Sequence, residues 1–159
     1  MKYFTLLLFI FLFVNFSFSQ DKAKSDTVKT SIYDAKSDPA KELSRAVKAA
    51  SKKDKRILLQ VGGDWCPWCK KLDKLFRENE EISSLLDKHY ILLKVNYSKE
   101  NKNEKFLSKY PKIEGYPHIF VLDKNGKFIH SQNTGDLETG EYHDPAKVIA
   151  FLKKWIKTK

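Results

Sequence analysis

The chain has 159 residues, a formal net charge of +10 and only two cysteines. This length suits one ordinary domain with its own core and argues against a second, and two cysteines do not make the multi-bridge framework of a small secreted scaffold. Lysine carries the charge excess, Arg45, Arg56 and Arg77 being the only arginines, and the lysines are scattered among acids; the composition argues against nucleic-acid binding and for a solvated basic surface.

Met1-Lys2 precedes a run from Tyr3 to Val14 that is apolar apart from Thr5, followed by Ser17 and Ser19. The layout predicts a secretory signal over 1–19, cleaved before Gln20, because the apolar run is shorter than the ~20 residues of a spanning helix. An uncleaved N-terminal anchor is the alternative. Residues 20–37 are rich in Lys, Ser, Asp and Thr and predict a flexible linker, since they bury too little to offset their ordering entropy. The globular domain then spans 38–159.

Asp38-Pro39 supplies an N-cap and a first-turn proline, and Leu43, Ala46, Val47 and Ala50 recur at helical spacing, so a helix is expected to end near Lys53. Ile57 to Val61 is a short apolar run suited to a buried central strand. Next comes Trp65-Cys66-Pro67-Trp68-Cys69, and then Leu72, Leu75 and Phe76 share a helical face with Cys69. That spacing points Cys69 inward and leaves Cys66 at the open end. Residues 90–96 read as a second buried strand and 98–110 as a helix. Two short strands, 118–122 and 127–130, flank Asn125-Gly126, a dipeptide that accommodates the positive φ angles of a tight hairpin. A loop over 131–143 leads to Asp144-Pro145 and a last helix carrying Val148, Ile149, Leu152, Trp155 and Ile156.

The cysteine pair carries the chemistry. A sulfur at a helix N-terminus feels the positive end of the helix dipole, which favours thiolate, and a second sulfur three residues on can close a disulfide with it. An inert staple is a poorer explanation, because so short a loop removes little entropy from the unfolded chain. A zinc or copper site using His118 or another histidine is short of ligands, with two cysteines and four scattered histidines. Trp65 reads equally as a substrate-receiving rim or as packing, whereas Trp68 is expected to be exposed and to touch a partner. His118 is expected to face solvent from its strand. Asp64, two residues before Cys66, either opposes thiolate formation or caps the loop.

With Trp-Cys-x-x-Cys after the first strand and Gly115-Tyr116-Pro117 before the third, residues 38–158 resemble the thioredoxin-like superfamily, and most of all its small exported members. The resemblance implies an α/β thioredoxin-like fold, a central mixed sheet of about four strands flanked by helices. It implies that Pro117 is cis beside the cysteines and that Tyr116 offers backbone groups to an incoming peptide. It also implies a thiol–disulfide oxidoreductase in which Cys66 is the nucleophile and Cys69 the resolving cysteine, with no cofactor or metal beyond that pair. Its partners would be protein thiols and disulfides and a membrane electron donor, and it would act as a monomer. Two positions bear on mechanism. Gln60 replaces the buried strand acid that relays a proton in thioredoxins, and Lys94 matches a strand lysine near that acid, where it either helps hold a thiolate or is a surface cation. Pro67-Trp68 between the cysteines matches neither thioredoxin nor the strong periplasmic oxidants. The alternative is a non-catalytic module of the same fold that senses redox state or holds a client.

Overall fold

The computed structural model describes residues 31–156. The expected signal over 1–19, and the expected linker as far as residue 30, lie outside the described residues. The first helix, α1 (Pro39–Lys53), begins where Asp38 accepts hydrogen bonds from the Ala40 and Lys41 amides, and it ends at Asp54 in a left-handed conformation. Strand β1 (Arg56–Gly62) leads into α2 (Pro67–Glu78), then α3 (Glu80–His89), β2 (Tyr90–Asn96), α4 (Glu104–Leu107), β3 (His118–Leu122) and β4 (Phe128–Asn133). A single 3-10 turn, Thr134–Leu137, precedes the two-residue strands β5 (Glu138–Thr139) and β6 (Tyr142–His143), and α5 (Pro145–Lys154) closes the fold.

The main sheet has the order β2-β1-β3-β4, with β1 parallel to β2 and antiparallel to β3, and β3 antiparallel to β4. Strand alternation divides the core between the two faces. Leu58, Ile119 and Val121 pack with Leu72, Phe76, Ile82, Leu86, Phe151 and Leu152, so α2, α3 and α5 cover one face. Ile57, Leu59, Val61, Phe120 and Leu122 pack with Ala46, Ala50 and Phe106, so α1 and α4 cover the other. Gln60 shares the parity of Leu58 and faces the α2 side.

Several sequence expectations are corrected. The helix expected over 98–110 contracts to α4, because the intervening side chains take the backbone bonds a helix would need. Asn96 Nδ2 donates to the Asn101 carbonyl at 2.9 Å, Asn103 Nδ2 donates to the Asn96 carbonyl at 2.7 Å, and Asn103 itself is left-handed. Helix α3 was missed by the sequence reading; Asn79 starts it by accepting from the Ile82 amide, and Ile82 and Leu86 anchor it. In the β3–β4 turn only Gly126 takes a positive φ, and the Asp123 carboxylate organises the loop by accepting from the Asn125 and Lys127 amides. Strand β4 runs further than expected, to Asn133.

Residues 31–35, expected to belong to the linker, pack on the domain instead. Tyr33 is buried, and residues 31–33 are tied to the loop after β1, while Asn101 Nδ2 donates to the Ala35 carbonyl at 2.9 Å. One large aromatic side chain in an otherwise polar stretch found a deep site that composition does not register.

Candidate active site

Cys66 is the N-cap of α2 in extended conformation, and Pro67 occupies the first helical position, where no intrahelical N–H is needed. Its Sγ accepts from the Cys69 amide at 3.1 Å. Cys66 and Cys69 form a disulfide with Cα atoms 5.2 Å apart. Cys66 is 2% exposed and Cys69 0%, so the expected contrast of an open and a buried sulfur is replaced by burial of both. The cover over Cys66 comes from Tyr33 and Tyr116, which are remote in sequence from α2, and from Trp68 on α2 itself.

Tyr116 and Pro117 lie against this disulfide. Their peptide bond is cis, and the Tyr116 carbonyl oxygen is 3.6 Å from Cys66 Sγ. Thr134, buried on the 3-10 turn, donates from Oγ1 to the Pro117 carbonyl at 2.5 Å and pins the proline loop to the far edge of the sheet. No local pattern marks Thr134, which lies seventeen residues from Pro117 within a stretch expected to be loop.

Trp68, expected to be exposed, is the more covered of the two tryptophans, and Trp65, for which rim and packing stood equally open, is the exposed one. Trp65 is 56% exposed, with its ring edge-on to Tyr116 at 5.7 Å and its Nε1 donating to the Tyr97 carbonyl at 2.6 Å. Tyr97 stacks on Tyr116 at 4.7 Å, so Trp65, Tyr116 and Tyr97 form a continuous aromatic ledge beside the proline. Trp68 is half-buried, meeting His143 edge-on at 5.3 Å and lying beneath the Lys71 ammonium at 4.4 Å. Pro67 between the cysteines is exposed.

His118 is buried rather than solvent-facing. Its Nε2 is 2.8 Å from Ser131 Oγ and its ring packs on Phe120. Burial, with the nearby His130 adding to it, pushes its pKa down to about 4, so it stays neutral at physiological pH. Asp64, expected to oppose thiolate formation or to cap the loop, anchors the segment before α1: its carboxylate accepts from the Ile32 amide at 2.9 Å, the Tyr33 amide at 3.1 Å and Ser31 Oγ at 2.5 Å. Lys94 does not hold a sulfur. It pairs with Asp73 on α2, which also accepts from Arg77 Nε at 3.0 Å. Burial alone would raise the Asp73 pKa, but these two cations outweigh it and hold the carboxyl below its ordinary range.

Gln60 is fully buried, and its Nε2 donates at 2.7 Å to the hydroxyl of Tyr33, which shares a buried cluster with the two cysteines. No group of three His, Cys, Asp or Glu among the described residues is placed to hold a metal ion. No helix among them is long and apolar enough to cross a membrane. The arrangement is a sulfur pair capping a helix, with a cis proline and an aromatic ledge at its mouth and a neutral polar pair buried beside it.

The sequence pattern of the Thioredoxin-like family matches residues 38–124. The chain is 28% identical over 87 residues to the disulfide bond reductase DsbH of Chlamydia pneumoniae, a span covering 48% of this chain and 52% of that protein. It is 30% identical over 120 residues to the thiol:disulfide interchange protein DsbD of Pseudomonas fluorescens, covering 74% of this chain but 19% of that protein. The chain thus spans about half of one curated relative and a fifth of the other. The crystal structure of a disulphide isomerase from Xylella fastidiosa Temecula1 superposes with a TM-score of 0.68 at 26% identity, covering 77% of this chain and 95% of that one. With its cysteine pair at the head of α2, the chain belongs to the thioredoxin-like family, and its domain is of the thiol–disulfide oxidoreductase kind.

Proposed function

We propose that the protein is an exported reductase of protein disulfides, drawing electrons from a membrane thiol carrier and working as a monomer. The observation that carries the reading is the Cys66–Cys69 disulfide at the N-terminus of α2, with the Tyr116 carbonyl and the exposed Trp65 beside it. In the cycle, the Cys66 thiolate attacks a substrate disulfide and forms a mixed disulfide, releasing one substrate thiolate. Cys69 then attacks Cys66, closing the enzyme disulfide and releasing the second substrate thiolate. The membrane donor's thiols reverse the enzyme's part. Trp65 and Tyr116 hold the substrate chain against the sulfur in this reading.

The reducing direction is supported by what surrounds Cys66. A strong oxidant owes its potential to a reduced form stabilised through its thiolate. Here the residue between the sulfurs that could carry a cation is Trp68, and the Asp64 carboxylate lies two residues upstream, so the Cys66 thiolate has little help beyond the helix terminus and the Cys69 amide. The name of the Chlamydia relative points the same way. Export rests on the layout of residues 1–19.

Titration of the pair in graded glutathione or dithiothreitol buffers, followed by tryptophan fluorescence, tests this. A potential near about −270 mV is expected; one near about −120 mV would make the protein an oxidant of exported thiols. The Cys69→Ser variant is expected to accumulate mixed disulfides through Cys66. Stoichiometric retention of a client without turnover would replace the enzyme by a redox-sensing or client-binding module.

A further inference from the structure

Beside the disulfide lies a buried pair that the exchange cycle leaves unused. Tyr33 comes from the segment before α1, outside residues 38–124 that carry the family pattern, and it is 2% exposed. Three hydrogen bonds from Ser31, Ile32 and Tyr33 to Asp64 fix that segment beside the cysteine loop. The Tyr33 ring enters the same buried cluster as Cys66 and Cys69. A Cβ on Gly62 would lie 2.6 Å from Cys69 Sγ and 2.7 Å from the Tyr33 oxygen, so sulfur and hydroxyl border one point and their separation cannot exceed those two distances together. Glycine at 62 is what lets them approach.

The polarity of the pair is set by Gln60. Its Nε2 donates to the Tyr33 oxygen, which leaves the tyrosine's own hydrogen unclaimed by that contact, and Cys69 Sγ is a neighbour across the space that Gly62 keeps open. We propose that the Tyr33 hydroxyl, held by Gln60 and by the Asp64-anchored segment, donates a hydrogen bond to the Cys69 thiolate each time the disulfide opens. It thereby takes over, from outside the family-matched region, the support of Cys69 that no acid at position 60 provides. The inference deepens the oxidoreductase reading and rests on it.

The step balances without further reactants. A thiolate of the reducing partner attacks Cys66 Sγ; that new S–S bond forms, the Cys66–Cys69 bond breaks, and its electron pair leaves on Cys69 Sγ. Tyr33 stabilises the departing anion and keeps its own proton. Burial, with the Asp73 charge adding to it, raises the Tyr33 pKa well above its ordinary value, so the group acts as a donor and not as a base. The same bond favours the thiolate form of Cys69 when it resolves a mixed disulfide. The charged groups around the site are Asp64 from the loop after β1, Asp73 from α2 and Lys94 from β2, the last two engaged with each other. None of them is removed by the substitution that tests the proposal.

The test is the titration of Cys69 in the full chain carrying Cys66→Ser, followed by NMR of cysteine labelled with ¹³C at Cβ, a signal that tyrosine ionisation does not obscure. Tyr33→Phe keeps the ring and removes the donor. It is expected to raise the Cys69 pKa by about one unit, a tenfold loss of thiolate at a given pH. Incorporating difluorotyrosine at position 33, a stronger donor of nearly the same shape, is expected to shift the titration the opposite way. A purely structural role moves it in neither direction, and unchanged titrations in both variants overturn the proposal. Should Tyr33→Phe not fold, the fluorinated chain decides alone. Turnover of a model disulfide by the wild-type chain is measured in parallel. A shifted Cys69 titration without turnover leaves the hydrogen bond standing and removes the reductase reading, whereas turnover with an unmoved titration removes the hydrogen bond alone.

Discussion

Gly62 concentrates the constraints at the level of single residues. It ends β1, and any side chain there would overlap both Cys69 Sγ and the Tyr33 hydroxyl. Neither neighbour is the loose end of a surface side chain: the sulfur is locked in the disulfide and the hydroxyl is held by Gln60. Gly62→Ala is therefore expected to destabilise the oxidised protein by about 1–3 kcal/mol through overpacking, read as a lower urea midpoint. Gln60 and Lys94 show how far single positions could be read in advance. The substitution at 60 was visible as a lost carboxylate, but its partner Tyr33 lies 27 residues upstream in a stretch that composition assigned to a linker. Lys94 was recognised as a strand cation, yet its partner Asp73 bears no mark in the sequence that separates it from surface acids. A hydrogen-bond partner is chosen by where the chain returns, which local pattern does not record.

The elements themselves were legible wherever a strong local signal coincided with burial. Asp38-Pro39 and Asp144-Pro145 both became helix starts with the carboxylate accepting two amides, and β2 and β3 have the bounds that their apolar runs indicate. Residues 98–110 failed because asparagines there satisfy the backbone locally. The β3–β4 hairpin was recognised from Asn125-Gly126, though the load on the left-handed region falls on Gly126 alone, at φ +84°. A Cβ there would also come within 2.9 Å of Val47 Cγ2 on α1. Gly126→Ala is accordingly expected to cost about 1–2 kcal/mol from backbone strain, with an added packing clash at the α1 contact. Chemical denaturation of the variant checks it; an unchanged midpoint would show that the turn refolds around the alanine without strain.

Across the whole molecule, the buried histidines His118 and His143 and the buried carboxylate Asp73 tie stability to pH, burial holding both histidines below their ordinary range. His118 has a folded pKa near 4, below the ~6.5 of an unfolded histidine, so the folded state resists a proton that the unfolded chain accepts. Its contribution is complete above about pH 6.5 and is lost as pH falls toward 4. Asp73 adds a second loss at lower pH, because its carboxyl is held below the ordinary value by Lys94 and Arg77, and the stabilisation disappears as it protonates. Urea midpoints are thus expected to fall from pH 7 to pH 4 in the wild-type chain. His118→Asn should flatten the part of that limb between about 6.5 and 4, and an identical slope in the variant would assign the loss elsewhere. His118 directly follows Pro117, so this acid sensitivity lies next to the proposed substrate cleft.

By itself, the sequence determined the order of the four main-sheet strands and of the helices around them apart from α3, the cysteine pair at the head of a helix and the proline before the third strand, because helix starts, strand periodicity and residue spacing are local properties of the chain. The tertiary structure alone decided that both sulfurs are buried, that Trp65 rather than Trp68 is exposed, that Thr134 pins the proline loop, and that Tyr33 lies against Gln60. Each of these depends on which distant segment packs over a site, and that choice is made by the whole core closing at once.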